Sequence, residues 1–507
     1  MTSPFKLPLS IGGAGLFLGL AACALPACAP SSATPGGEPV GPGGARPARV
    51  ALQPCFVEGA RAPARCGKVR VFEDRLTKKG RTIDLQVVVI PALASAPAED
   101  PVFFLAGGPG QAATSIAGFM LGVADRLHDK RDFVFVDQRG TGWSHPLYCE
   151  QAPPDAPLAE SFDAEFDPDG VDLCRAAQDA DLTKYTTSIA ADDLDDVRAA
   201  LGYDKVNLWG TSYGTRLGLA YLRAHGEHAR SLVLDSVAPM SLYLPLSIAR
   251  DAERALDKLL ADCAAEKGCA AAFPDLAARF RAFVSGLDEE PIRARVAHPT
   301  TGTLEDVVIG KAAFLSGIRG LLYSADLSAL VPLALDRAMK GDLGPYVALA
   351  RSLTGKMEGA MAMGLFLSVV CSEDVPFFTD ADVAKEAEGT LFGAEIARET
   401  VRGCARWPRA DVPKSFRDPV QSDVPVLLLS GDLDPVTPPS WAEDAKKTLP
   451  HGVTVVIPGT GHTAVVSACA RRIAAAFVSA GTEANLDTSC ASKGARPPFF
   501  TTFAGTP

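Results

Sequence analysis

Val206-Asn207-Leu208-Trp209-Gly210-Thr211-Ser212-Tyr213-Gly214 runs a short apolar stretch straight into a G-x-S-x-G turn. A helical pattern follows through Leu217, Leu219, Ala220, Leu222 and Ala224. Strand, turn, helix is the setting in which this motif presents a serine on a sharp elbow. The two glycines let the backbone turn, because a Cβ at either place would collide with the neighbouring strand or helix. Ser212 then stands at a helix N-terminus, where free N–H groups favour developing negative charge. An inert serine in a tight turn is the alternative; the flanking strand and helix favour a nucleophile.

Outward from the elbow, short β-branched runs alternate with Ala/Leu-rich helical stretches, the pattern of a mostly parallel sheet. Strands are expected at 68–72, 83–90, 102–105, 133–136, 206–209, 231–234, 426–430 and 453–457. Helices are expected around 111–128, 190–201, 213–225, 439–448 and 464–479. Eight strands joined by crossover helices describe an α/β-hydrolase sheet. Between about 240 and 415 the pattern changes to Ala- and Leu-rich helices, such as 251–263 and 311–322, interrupted by a possible hairpin at 292–297 and 304–309. This segment lies between the sixth and seventh strands. It reads as a mostly helical cap that closes over substrate. The division expected is core at 51–239, cap at 240–415, core again at 416–492 and a tail at 493–507. Residues 51–507 are too many for one simple core, which fits an inserted cap.

An elbow serine needs a base and an acid, and in this fold the chain order is Ser, acid, His. Functional groups sit beyond the C-terminal ends of parallel strands. That rule sorts the seven histidines. His462, in Gly459-Thr460-Gly461-His462, follows the last strand. His451 precedes that strand, and His128, His145, His225, His228 and His298 precede the acid. His225 and His228 could form an H-x-x-H metal pair, but they read better as the exposed end of a helix. The acid lies in Gly431-Asp432-Leu433-Asp434-Pro435, after the seventh strand. Pro435 restricts Asp434 to an extended conformation at the loop tip. Asp432 reads as a turn residue bonding local N–H groups. Ser212, Asp434 and His462 are therefore the expected triad. The oxyanion hole needs two backbone donors. Tyr213 follows the nucleophile, and Gly108 lies in the glycine-rich loop Ala106-Gly107-Gly108-Pro109-Gly110; Pro109 has no N–H to give.

Gly107-Gly108-Pro109-Gly110, Asp137-Gln138-Arg139-Gly140-Thr141-Gly142-Trp143-Ser144, the elbow, Asp434-Pro435-Val436-Thr437-Pro438 and Gly461-His462 occur in this order. Together they resemble the proline iminopeptidase/tripeptidyl aminopeptidase family of α/β-hydrolase serine peptidases. The resemblance covers roughly residues 52–492. It implies cleavage of short peptides from a free N-terminus, with release of a tripeptide or of a residue such as proline, and it implies no cofactor and no metal. Ala106 departs from many relatives, which have histidine before the glycines. Arg139 is expected to brace loops beside the elbow. An aminopeptidase needs an anion to receive the substrate ammonium. Glu373 or Asp374, in Cys371-Ser372-Glu373-Asp374, is the expected receptor. Trp407 and Phe377 suit cap packing better than a side-chain pocket. An esterase on the same scaffold is the alternative activity, and a non-catalytic binding lipoprotein the remote one.

The first residues read as an export signal at 1–22: Lys6, then an apolar run from Leu9 to Ala22 too short to span a bilayer as a permanent helix. Leu20-Ala21-Ala22-Cys23 resembles a bacterial lipoprotein box, implying cleavage before Cys23 and lipidation of its thiol. Cys28 is a poorer second candidate. Ala24 after Cys23 favours the outer membrane and periplasm. A Pro/Gly/Ser-rich tether occupies 23–50. The protein is thus expected in the cell envelope, held to a membrane by its lipid. Setting aside Cys23 and Cys28, ten of the twelve cysteines fall into close neighbours: Cys55/Cys66, Cys149/Cys174, Cys263/Cys269, Cys371/Cys404 and Cys469/Cys490. Five local disulfides suit an oxidising compartment. Spacing does not itself fix their connectivity. The net charge of −11 and the lack of a basic run argue against nucleic acid as a partner.

Overall fold

The computed structural model describes residues 50–153, 155–162, 167–358 and 361–505. The expected signal, Cys23, Cys28 and all but the last residue of the tether lie outside them. β1 (Gln53–Cys55), β2 (Ala64–Phe72), β3 (Thr82–Ile90), β4 (Val102–Leu105), β5 (Phe133–Val136), β6 (Val206–Thr211), β7 (Ala229–Asp235), β10 (Val426–Gly431) and β11 (Gly452–Ile457) form one sheet. β8 (Ile292–Ala297) and β9 (Leu304–Ile309) form a separate antiparallel hairpin. The order in the sheet is β1-β2-β3-β5-β4-β6-β7-β10-β11. β1 to β3 and the β3–β5 pair run antiparallel, and the remainder from β5 to β11 is parallel. The sheet has nine strands, not the eight expected. The extra one, β1, is three residues long with proline at its centre, too short to show alternation. The disulfide Cys55–Cys66 links it to β2.

Alternation along each strand divides the core between the two faces of the sheet. Val87, Val89, Phe103 and Leu105 pack on one face with Leu232, Leu234 and Leu428. Val88, Ile90, Val102 and Phe104 pack on the other with Val233, Leu427 and Leu429. Fully burying each such side chain contributes about 1.5–3 kcal/mol. The helix Tyr213–His225 covers the first face through Leu217 and Leu219, and Ala468–Ala480 covers the second through Ile473 and Phe477.

Between β7 and β10 the chain builds a helical insertion with its own apolar core, in which Leu256, Phe280, Ile318 and Tyr346 are buried together. Its helices include Ile248–Ala265, Lys311–Leu322, Met363–Glu373 and Glu395–Cys404. A further cluster joins insertion to sheet: Leu365, Val369 and Trp407 pack with Tyr185 and with Tyr213 of the elbow. Disulfides join the five neighbouring pairs, Cys55–Cys66, Cys149–Cys174, Cys263–Cys269, Cys371–Cys404 and Cys469–Cys490. Among the described residues no helix is long and apolar enough to cross a membrane.

Cys371–Cys404 ties two insertion helices across 33 residues of chain. Closing a loop of that size restricts the unfolded chain and stabilises the fold by about 2–4 kcal/mol. Replacing both cysteines with serine should therefore lower the unfolding free energy by about that amount in a denaturant titration. An unchanged midpoint would contradict this.

Candidate active site

Two strands that neighbour each other in the sheet place Ser212. β4 sits between β5 and β6, so the winding reverses there and the loops after β4 and β6 leave side by side, the position where open α/β sheets hold ligands. Ser212 has φ +57° and ψ −125°, a strained conformation for a residue with a Cβ. Its surroundings enforce it. A Cβ on Gly210 would lie 2.3 Å from Gly214 O, and one on Gly214 would lie 2.2 Å from Leu105 O. The Ser212 N–H donates to Asp235 O at 2.9 Å. Ser212 precedes the helix Tyr213–His225 without capping it through its side chain, so its Oγ is not spent there. The N–H of Tyr213, the first helical residue, has no partner within its own helix. Gly108, at φ +111°, borders the same cavity as Ser212 and Tyr213.

Asp434 is fully buried and accepts four hydrogen bonds. Oδ1 receives the N–H groups of Val436 and Thr437, both at 2.8 Å. Oδ2 receives Thr437 Oγ1 at 2.8 Å and faces His462 Nδ1 at 2.9 Å. Burial alone would raise the Asp434 pKa, but His462 and the Thr437 and Val436 amides outweigh it and bring it down to about 2. Burial alone would lower the His462 pKa; Asp434 first, then Asp235, outweigh that and raise it. The insertion holds the same histidine. Its backbone N–H donates to Tyr323 O at 2.9 Å, and the Tyr323 ring meets it edge-on at 5.1 Å. A Cβ on Gly461 would lie 2.3 Å from Tyr323 O, which explains the glycine before His462. Asp432, the competing acid, instead accepts the Gly459 N–H at 2.7 Å. His451 pairs with Glu483 on the surface. His225 and His228 gather around Asp195, whose charge Arg198 and Tyr221 already meet.

Asp235 has no counterpart in the sequence reading. Its fully buried carboxylate accepts the Ala464 N–H at 2.7 Å and so fixes the turn after His462. Burial pushes its pKa up to about 7, against the pull of the Ala464 and Val465 amides. The partners of Arg139 lie in the helix Thr187–Leu201 and in the segments at 72–73 and 184, not in the elbow itself. Arg139 is fully buried, clasps Asp193 through two nitrogens at 2.6 and 2.8 Å, and donates to the carbonyls of Glu73 and Lys184. Asp137 accepts from Thr114 and from the Trp143 N–H. A Cβ on Gly142 would come within 2.1 Å of Asp137 Oδ2.

Glu373 and Asp374 are not placed to receive a substrate ammonium, and the expectation for them is corrected. Both are fully buried and occupied. Glu373 accepts Thr187 N and Oγ1, each at 2.6 Å, and Thr187 Oγ1 lies 2.8 Å from Tyr213 OH. Asp374 pairs with Arg216 at 3.0 Å and Arg417 at 3.1 Å. Burial raises the Glu373 pKa to about 7, although the Thr187 bonds oppose the rise. Neither acid borders the cavity of about 220 Å³ in front of Ser212. The insertion residues that do include Leu244, Ile248, Arg319, Tyr323 and Phe366, with Ile396 and Thr400 from the helix tied by Cys404. From the sheet side come Val436 and Thr437, which also hold Asp434. Trp407 is buried and donates to Ser368 Oγ; it packs the insertion, and neither it nor Phe377 borders the cavity.

Residues 100–288 match the family model described as alpha/beta hydrolase fold. The chain has the α/β-hydrolase fold. Residues 389–490 of the chain match a second family model, TAP-like protein. It is 25% identical to the serine protease Hip1 of Mycobacterium tuberculosis over 464 residues, covering 84% of this chain and 87% of that one. It is 31% identical to the tripeptidyl aminopeptidase of Streptomyces lividans over 190 residues, 34% of this chain and 35% of that one. Against the proline iminopeptidase of Neisseria gonorrhoeae it is 32% identical over 138 residues, 27% of this chain and 32% of that one.

The two aspartates of the loop after β10 separate cleanly. Asp434→Asn removes the carboxylate facing His462 and should lower kcat roughly 10³- to 10⁴-fold. Asp432→Asn loses one local acceptor and should leave the rate within about tenfold. A larger loss for Asp432 would overturn the assignment. Only neutral imidazole can take a proton from serine. With the His462 pKa raised above its ordinary 6.5, kcat/KM should be full at alkaline pH and fall through a midpoint above 6.5 as pH drops. A midpoint at or below 6.5 would contradict the coupling to Asp434.

Proposed function

We propose that this hydrolase is a serine aminopeptidase that cleaves short peptides from a free N-terminus. Ser212 attacks the scissile carbonyl while His462 takes its proton. Asp434 holds the imidazole with Nδ1 protonated and stabilises the imidazolium that forms. The N–H groups of Gly108 and Tyr213 stabilise the oxyanion. His462 then returns the proton to the leaving amine, and water hydrolyses the acyl-enzyme by the same path in reverse. The observation that carries the reading is the 2.9 Å pair of His462 and Asp434 beside a cavity bordered by an elbow serine. The peptidase names of the three relatives support peptide as the substrate class.

We further propose that the chain is exported and anchored by lipid on Cys23, in the periplasm or at the outer membrane. Five disulfides support an oxidising compartment.

One observation favours a second reading, an esterase. No carboxylate borders the cavity among the described residues, so no receptor for an ammonium stands there. A matched panel of fluorogenic peptides with free and acetylated N-termini, run beside a neutral ester, tests the choice. A charge-assisted bond to an ammonium contributes about 1.5–3 kcal/mol, roughly 10- to 150-fold in kcat/KM. Acetylation should cost the peptide about that factor. Equal cleavage of free and acetylated peptides would exclude the aminopeptidase reading, and turnover of the ester alone would put the esterase in its place.

A further inference from the structure

Arg319 is the one charged side chain among the described residues that border the cavity in front of Ser212. It lies on the insertion helix Lys311–Leu322, one turn before Tyr323, so both side chains project from one face of that helix. Its Nη1 donates to Tyr323 OH at 3.1 Å, and its guanidinium carbon stands 5.8 Å from the Tyr323 ring centroid. Its Nε is buried without any acceptor. Among the described residues no carboxylate forms an ion pair with it.

Other arginines near the site are engaged: Arg139 pairs with Asp193, Arg216 and Arg417 pair with Asp374, and Arg254 donates to the backbone carbonyls of Asp432 and Asp434. A partly buried guanidinium with an unmet N–H is costly unless something arrives to satisfy it. Guanidinium is planar and forked, and it matches a carboxylate with two parallel hydrogen bonds. The rest of the wall offers apolar contact and a few hydroxyls.

We propose that Arg319 is a specificity-determining residue that receives a carboxylate of the substrate, so that the preferred substrates carry an anionic group close to the scissile bond. This rests on the serine-hydrolase reading of Ser212 and names the substrate class of that same site. The carboxylate has two sources in a short peptide, an acidic side chain or the free C-terminus. A substrate ammonium is then held away from Arg319, since two cations in one small cavity repel.

Three substrates test the proposal: a short peptide with a glutamate next to the scissile bond, its glutamine twin, and the glutamate peptide with an amidated C-terminus. Each is assayed with wild type and with Arg319→Met, and hydrolysis of p-nitrophenyl acetate reports whether Ser212 remains reactive. The readout is the ratio of kcat/KM between anionic and neutral twins. A charge-assisted bidentate contact predicts a wild-type ratio of roughly 10- to 100-fold in one arm, falling to about one in Arg319→Met. The glutamate/glutamine arm identifies a side chain as the source, and the acid/amide arm identifies the C-terminus. Should the methionine variant not fold, Arg319→Gln, which keeps a polar head without charge, is read in the same way. A wild-type ratio near one in both arms, or a ratio that survives loss of the charge, overturns the proposal. Turnover of no peptide and no ester by wild type would instead remove the serine-hydrolase reading beneath it.

Discussion

The close approach of β4 to the turn after β6 is the constraint on which the rest of the site depends. Gly214 rides so tightly over the end of β4 that a Cβ would lie 2.2 Å from Leu105 O. Gly107, just beyond β4, would bring its Cβ to 3.2 Å from that of Ser212. The turn has no room to relax, and Ser212 holds its positive φ because the backbone on both sides is fixed. Such strain persists only where surroundings over-determine it. The same packing carries the first N–H of the following helix and the loop of Gly108 to one end of the cavity. The proposed nucleophile and its proposed anion-stabilising donors thus come from one steric condition.

The insertion is fastened to this elbow by buried charge. Asp374 meets Arg216 from the elbow helix and Arg417 from the chain returning to β10, and Arg417 also donates to the Glu373 backbone carbonyl. Asp374 answers both guanidiniums while Glu373 bonds Thr187, whose hydroxyl lies beside Tyr213 OH. Removing one member of a buried group of this kind strands its partner and costs about 3–5 kcal/mol. Tyr323 supplies a second junction through its carbonyl and ring on His462. The insertion therefore sets the position of His462 as well as the shape of the cavity.

Much of this was legible because it follows local rules. β-branched runs marked the strands after β1, although β2 begins at Ala64 and not at 68, and the hairpin of β8 and β9 has the predicted bounds. The proline after Asp434 and the edge rule for His462 picked the pair that the structure holds at 2.9 Å. What failed depended on partners distant in sequence. Glu373 and Asp374 read as a receptor for the substrate ammonium, because nothing nearby announces Thr187 and Arg216, 186 and 158 residues away. Asp235 ends β7 on the functional edge of the sheet, a signal that was present but not weighed. Arg319 lies inside an amphipathic helix, where a cation ordinarily faces water; only the folded insertion turns it toward Ser212. β1 was invisible because its place is set by pairing and a disulfide, not by its own pattern.

The central claim is that Ser212 is a nucleophile made reactive by His462 and Asp434. Reaction with a fluorophosphonate, followed by proteolysis and mass mapping of the adduct, tests it directly. The account predicts one adduct, on the peptide containing Ser212, formed much more slowly when His462 is replaced by alanine. An adduct on another residue, or labelling that proceeds at an undiminished rate without His462, would contradict it.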